Sequence, residues 1–183
     1  SYYRERLIRN GKGFRWEGRV HEAVTPAGKV VYSDVVIEHR KVFQGDPDRN
    51  LRIYEDMLCA GEEFSPRSLF YYGRELLYHQ RYEEAAAVLE KFLETEEGWK
   101  ENKIDACLQA ARCYEKMGNA EKRMGLLLES FRYDIPRAEV CCDMGRLFME
   151  KRDFAKAAYW YGQALAVPDS YGEGGFEKKE LHG

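Results

Sequence analysis

Between Ser65 and Pro168 the chain repeats itself, and that repetition limits the fold more than any other feature. Three times a small residue is followed three positions later by a leucine or an aromatic, and then by a second helical stretch. The sets are Gly73, Leu76 and Ala85; Ala111, Tyr114 and Arg123; and Gly145, Phe148 and Ala157, in steps of 38 and 34 residues. The stretches 81–93 and 152–165 can be laid over each other without gaps, whereas the middle copy fits less well, with Arg123 where the others have Ala. Two helices approach closely only where one of them presents almost no side-chain volume. Gly73, Ala111 and Gly145 supply that on the first helix of each pair, and Ala85 and Ala157 on the second. Leu76, Tyr114 and Phe148 fill the space beside the crossing.

A step near 34 residues with this pattern resembles the tetratricopeptide repeat, a pair of antiparallel helices that stacks on its neighbours. One pair cannot bury its apolar faces alone, so at least three must stack, and three are present. The resemblance implies a mainly α fold: a right-handed α-α superhelix of about three hairpins over residues 65–168. A short β-hairpin segment is expected to precede it.

The start and stop signals place the helices. Asp46-Pro47 reads as an N-cap followed by proline at the first helical position, opening a helix over about 47–60 that closes at Gly61. Ser65-Pro66 repeats the signal for a helix over 66–79, and a turn at 79–81 leads to a helix over 82–95. After a Gly98-Trp99 loop, which accounts for the longer first step, the second unit runs from about 101 to Gly118-Asn119, then 120–132. Pro136 opens the third unit, which ends at Pro168. The Gly-rich tail 169–183 is read as a cap or a disordered end.

Ahead of the repeats, residues 13–24 and 29–42 are rich in β-branched and aromatic residues with partial period-two alternation, separated by Pro26-Ala27-Gly28. They read as two short strands. The run "RERLIRNGKGFRWEGRVHEAV" followed by "GKVVYSDVVIEHR" resembles the C-terminal end of the catalytic domain of bacterial family 2 glycosyltransferases, over about a quarter of the chain. That resemblance implies a GT-A fold, a nucleotide-sugar donor, a divalent metal held by an Asp-x-Asp motif and an Asp general base. No nucleotide-binding βαβ half carrying such a motif is found here, and the start at Ser1 reads as the middle of a longer protein. On this reading residues 1–45 are the remnant of the catalytic domain, 46–64 a connecting helix and 65–168 the repeats. Of the family's residues only His21 and Glu22 carry over, near the donor–acceptor cleft in a full-length parent; the alternative is a structural pairing within a turn. His39 is read as a partly buried structural histidine.

The formal net charge of −3, with 33% of residues charged and no blocks, gives no footprint for nucleic acid, and no apolar run is long enough to span a membrane. Five cysteines without paired C-x-x-C spacing read as buried, reduced thiols in a cytoplasmic protein rather than metal ligands.

The residue directly after each small position is the same in all three units: Arg74, Arg112 and Arg146. In a stacked array these point to the concave side, where guanidinium groups suit carboxylate or phosphate. Phe70, Tyr71, Tyr78, Gln109, Asp143 and Met149 are expected nearby. The competing reading pairs each arginine with an acidic neighbour such as Glu115, Asp143 or Glu150. Most aromatics are assigned to packing; Trp99, in a loop, is the one whose exposure is informative.

Three functions follow as expectations. The first is a non-catalytic module holding a protein, peptide or glycan acceptor or partner, with sugar transfer done in the missing catalytic domain. The second is a scaffold that dimerises or braces that domain. The third is a stand-alone enzyme using His21, Glu22 and His39, against which no nucleophile–base pair, phosphate loop or metal-ligand spacing is found.

Overall fold

Helix boundaries follow the start and stop signals of the chain. The computed structural model describes residues 7–32, 40 and 45–167 and is mainly helical. It divides into two compact units, Ser1–Glu63 and Phe64–Gly183.

In the first unit, α1 spans Arg49–Cys59 and buries Leu51, Tyr54 and Met57. It begins two residues later than expected, because Asp46 caps from outside. The Asp46 carboxylate accepts the Asp48 N–H at 3.0 Å and pairs with Arg52. The hydrogen bond from Arg52 is the main reason its carboxyl titrates below the usual aspartate range. Gly61, in the left-handed region at φ +71°, ends the helix, with the Glu62 N–H donating to the Met57 carbonyl at 3.0 Å.

Residues 13–24 do not run as the single expected strand. Glu17 and Ala23 form one antiparallel bridge, with N–H···O distances of 2.8 and 3.1 Å, so the chain reverses across 18–22. Gly18 at φ +94° is the physical reason: a left-handed residue interrupts the period-two pattern. Val20 and Val24 are buried. The second expected strand, 29–42, lies mostly outside the described residues, as does the tail 169–183. No strand is formed among the described residues.

The second unit contains α2 (Pro66–Tyr78), α3 (Tyr82–Glu94), α4 (Lys100–Lys116), α5 (Ala120–Glu129) with a 3-10 turn at Ser130–Arg132, α6 (Ala138–Glu150) and α7 (Phe154–Ala166). Each helix packs on the next, most lightly between α5 and α6. The connections within the three hairpins are three residues long, so partners run antiparallel. Three starts carry side-chain caps, as their residue types foretell. Ser65 Oγ accepts the Ser68 N–H at 3.2 Å, Asn119 Oδ1 the Lys122 N–H at 3.1 Å and Asp153 Oδ1 the Lys156 N–H at 3.2 Å.

The three hairpin turns are copies of one another. Gln80, Gly118 and Arg152 are left-handed, at φ +61°, +71° and +57°. In each, the following N–H reaches back five residues: Arg81 to Leu76 at 2.9 Å, Asn119 to Tyr114 at 2.8 Å, Asp153 to Phe148 at 2.9 Å. This is the hydrogen-bond pattern that closes a helix at a left-handed residue, and only the middle copy uses glycine.

The close crossings also recur. A Cβ on Gly73 would stand 2.7 Å from the Leu89 side chain, and one on Gly145 2.7 Å from the Tyr161 ring. Leu89 and Tyr161 each lie 16 positions after their glycine. In the middle hairpin the same spacing gives Ala111 and Leu127, which share one buried cluster with Leu108, Val140 and Met144. A second cluster joins Leu69 and Phe70 of α2, Leu89 and Phe92 of α3, and Ala106 and Ala110 of α4.

Charged groups hold the hairpins in register. Lys103 of α4 is buried, and its ammonium donates to the Phe92 and Thr95 carbonyls at 2.7 and 2.6 Å. It thereby satisfies the otherwise orphaned C-terminus of α3, and burial holds its pKa below the usual lysine range. Gly98, at φ +128°, lets the 95–99 loop pass over Phe92 and Lys103. Arg137, just before α6, forms a bidentate buried pair with Glu101 of α4, one arm at 2.6 Å.

Candidate functional site

Arg74, Arg112 and Arg146 follow the close-crossing residue of each first helix, and all three are exposed. A side chain next to one that faces the partner helix must turn about 100° away from it. Their surroundings differ, however. Arg74 stacks on Phe70 and Tyr71, with its guanidinium carbon 5.5 and 5.8 Å from the ring centroids. Arg112 makes no ion pair or hydrogen bond among the described residues. Arg146 pairs with Asp143 on its own helix and with Glu115 of α4 at 3.3 Å.

The residues expected beside them separate into platform and surface. Phe70 is 1% exposed and belongs to the core between α2, α3 and α4, so it supports Tyr71 and Arg74 from beneath and cannot touch a ligand. Tyr71 is half-buried, under Arg67 at 5.0 Å as well as Arg74. Tyr78, 72% exposed, stands two turns further along α2 from Tyr71. Gln109 is buried and donates to Asp105 at 2.5 Å, which removes it from the surface. Met149 is exposed, and Asp143 is buried.

Asp143 is the electrostatic junction. Burial raises its carboxyl pKa, while the positive charges of Arg146 and Arg112 oppose the rise. Two arginines of successive hairpins therefore share one carboxylate, and only Arg146 hydrogen-bonds it. Chemically, Arg112 is the best placed of the three to accept an external carboxylate or phosphate, and Arg74 the next.

Sequence reasoning missed the cross-links behind this row. Arg123, the misfit of the middle copy, is buried on α5. Its guanidinium meets Glu115 of α4 at 3.0 Å and Glu150 of α6 at 2.8 Å. Glu115 is thus shared by Arg123 and Arg146. Where Ala85 and Ala157 close their hairpins by small volume, Arg123 closes the middle one by charge. The only signal for it in the sequence was the departure from the pattern.

In the first unit, His21 and Glu22 sit in the reversal between Glu17 and Ala23, both exposed, with His21 left-handed at φ +53°. They mark a tight turn rather than a buried acid–base pair. His39 lies outside the described residues. Asp46-Pro47-Asp48 has Asp-x-Asp spacing, but Asp46 is engaged by Arg52 and the Asp48 N–H as a helix start. Among the described residues, no three His, Cys, Asp or Glu side chains converge as a metal site would require. Nor is any described helix long and apolar enough to cross a membrane.

No known family model matches this chain. No curated protein matches it either.

Cys107, Cys113 and Cys141 are buried thiols whose pKa values burial pushes up to about 12, 11 and 11, which favours the protonated thiol near neutral pH. Cys142 is half-buried and also raised by burial, whereas Cys59 is exposed, contrary to the expectation of uniformly buried cysteines. Trp99 is 48% exposed at the start of α4.

Proposed function

We propose that residues 64–167 are a tetratricopeptide-type superhelix that holds an extended acidic peptide of a partner or acceptor protein against Arg74, Arg112 and Arg146. The reading extends to the parent: a bacterial, cytoplasmic family 2 glycosyltransferase whose catalytic domain transfers sugar from a nucleotide-sugar donor. One observation carries the binding role. An exposed arginine recurs directly after the close-crossing residue in all three hairpins, and Arg112 has no acidic hydrogen-bond partner among the described residues. A solvating surface has no need of the same cation at each equivalent position.

The donor and its divalent metal belong, on this reading, to the catalytic domain. The acidic and histidine side chains described here do not form a donor set for a metal. His21 and Glu22 occupy an exposed turn. No step of the transfer is assigned to this chain.

The bracing alternative draws on one specific feature. Arg146 joins α6 to α4 through Glu115, a contact between hairpins that stiffens the stack without any ligand.

A peptide array probed with this chain tests the binding role. Peptides rich in Asp and Glu should bind, charge-matched Lys/Arg peptides should not, and binding should fall as salt rises. Equal capture of acidic and basic peptides, or none of either, contradicts the role. A sugar-transfer assay on the same chain with several nucleotide sugars should show no turnover.

A further inference from the structure

We infer that Asn10 and Gly11 form a self-modification site, where the backbone nitrogen of Gly11 expels the side-chain nitrogen of Asn10 as ammonia and leaves aspartate and isoaspartate. The inference is independent of the arginine row. Three observations in the first unit carry it. The Gly11 N–H donates to Asn10 Oδ1 at 2.8 Å, so the attacking nitrogen already lies against the group it attacks. Gly11 is left-handed at φ +73°, and nothing stands within 4 Å of where a Cβ would be. Both residues are exposed, in a turn, so water and hydroxide reach them.

The chemistry consumes only water. Hydroxide removes the Gly11 amide proton, and the nitrogen's electron pair forms a bond to Asn10 Cγ. The Cγ–Nδ2 bond breaks, Nδ2 takes a proton and leaves as ammonia, and a succinimide ring remains. Water then opens the ring at one of its two carbonyl carbons, and no electrons are gained or lost. Cleavage of the new N–Cγ bond gives aspartate. Cleavage of the original peptide bond gives isoaspartate, with the chain now running through the former side chain. Each event puts a carboxylate beside the exposed Arg9 and Lys12 and makes the net charge one unit more negative.

The other asparagines of the chain, Asn50, Asn102 and Asn119, are built differently. Asn50 and Asn102 lie within α1 and α4 and precede Leu51 and Lys103, both buried. Helical ψ holds the following nitrogen out of line with Cγ. Asn119 Oδ1 is engaged by the Lys122 N–H as the cap of α5, and the nitrogen after it belongs to Ala120, the first residue of that helix. Asn10 alone combines a following glycine, an open face and a nitrogen at hydrogen-bond distance.

The test incubates the whole chain at pH 8 in water enriched in the heavy oxygen isotope, so that label marks events that precede digestion. Anion exchange follows the added charge, and electron-transfer mass spectrometry of the Glu-C peptide 6–17, digested in ordinary water, separates aspartate from isoaspartate. Asn10 should be converted at least tenfold faster than Asn50, Asn102 or Asn119, with isoaspartate in excess. Gly11→Ala should slow conversion at least tenfold with the circular dichroism spectrum unchanged, because a Cβ crowds the attacking nitrogen. In urea the rate at Asn10 should change less than tenfold, since the folded turn leaves the site open. No conversion at Asn10, a rate equal to that of the helical asparagines, an unchanged rate in Gly11→Ala, aspartate as the sole product, or a rate that rises tenfold or more in urea overturns the proposal.

Discussion

A β-carbon placed on Gly73 would lie 2.7 Å from the side chain of Leu89, which is itself fully buried. Gly145 stands in the same relation to Tyr161, whose ring is at the rim. Gly73→Ala therefore forces a buried side chain aside, at about 1–3 kcal/mol for overpacking, against about 1 kcal/mol gained from helix propensity. A net loss of about 1 kcal/mol is expected. Gly145→Ala should be close to neutral, because Tyr161 can rotate outward. Urea denaturation of both variants measures the difference, and an equal loss in the two would contradict the unequal burial.

The hairpin turns make a second prediction, of opposite sign. Gln80 and Arg152 occupy left-handed conformations that Gly118 occupies without cost. The left-handed region costs an ordinary residue about 1–2 kcal/mol, part of which glycine returns as chain entropy. Gln80→Gly and Arg152→Gly should each stabilise by about 0.5–1 kcal/mol, while Gly118→Ala should destabilise. Melting temperatures would report all three.

Two buried arginine pairs should respond differently to the loss of one partner. Arg137 and Glu101 shield each other, so Glu101→Ala takes from a buried guanidinium its bidentate partner, leaving Asp134 at 3.7 Å, and should cost about 3 kcal/mol. Arg123→Ala restores the residue type found at Ala85 and Ala157. Glu115 then keeps Arg146, and Glu150 is half in solvent. About 1 kcal/mol of loss is expected. A larger loss for Arg123→Ala than for Glu101→Ala would show that the middle hairpin depends on charge more than its geometry indicates.

The thiols set an alkaline limit. Cys107, Cys113 and Cys141 have folded pKa values of about 12, 11 and 11 against an ordinary 9.0, so above pH 9 the unfolded chain loses those protons first. Stability is unaffected by these groups below pH 9 and should fall as pH rises from 9 towards 12. Replacing Cys107 with Ser keeps a polar group but removes that titration and should flatten the fall. In the native state at pH 8, iodoacetamide should label Cys59 first, with the three buried thiols reacting only after denaturation.

How much of this was legible in the sequence depends on range. Helix starts were, because Ser65, Asn119 and Asp153 act on backbone three residues away. The close crossings were too, because glycine at a repeated step has one packing explanation. The left-handed turns at Gln80 and Arg152 were not, since neither residue type signals positive φ. The burial of Phe70 was hidden because its cover comes from α4, more than 30 residues on. The Arg123–Glu150 and Arg137–Glu101 pairs join residues 27 and 36 positions apart, and no local pattern foretells them. In the first unit, alternation within 13–24 suggested a strand, and Gly18 turned it into a reversal.

The binding role makes an ordered claim about three arginines in three environments. Isothermal titration of an acidic peptide selected from the array, into Arg74→Ala, Arg112→Ala and Arg146→Ala, tests it most directly. Arg112→Ala should weaken binding most, by about tenfold, since charge-assisted hydrogen bonds contribute about 1.5–3 kcal/mol. Arg74→Ala should follow, and Arg146→Ala, already held by Asp143 and Glu115, should change least. Unchanged affinity in all three variants, with their helicity intact, would contradict the account.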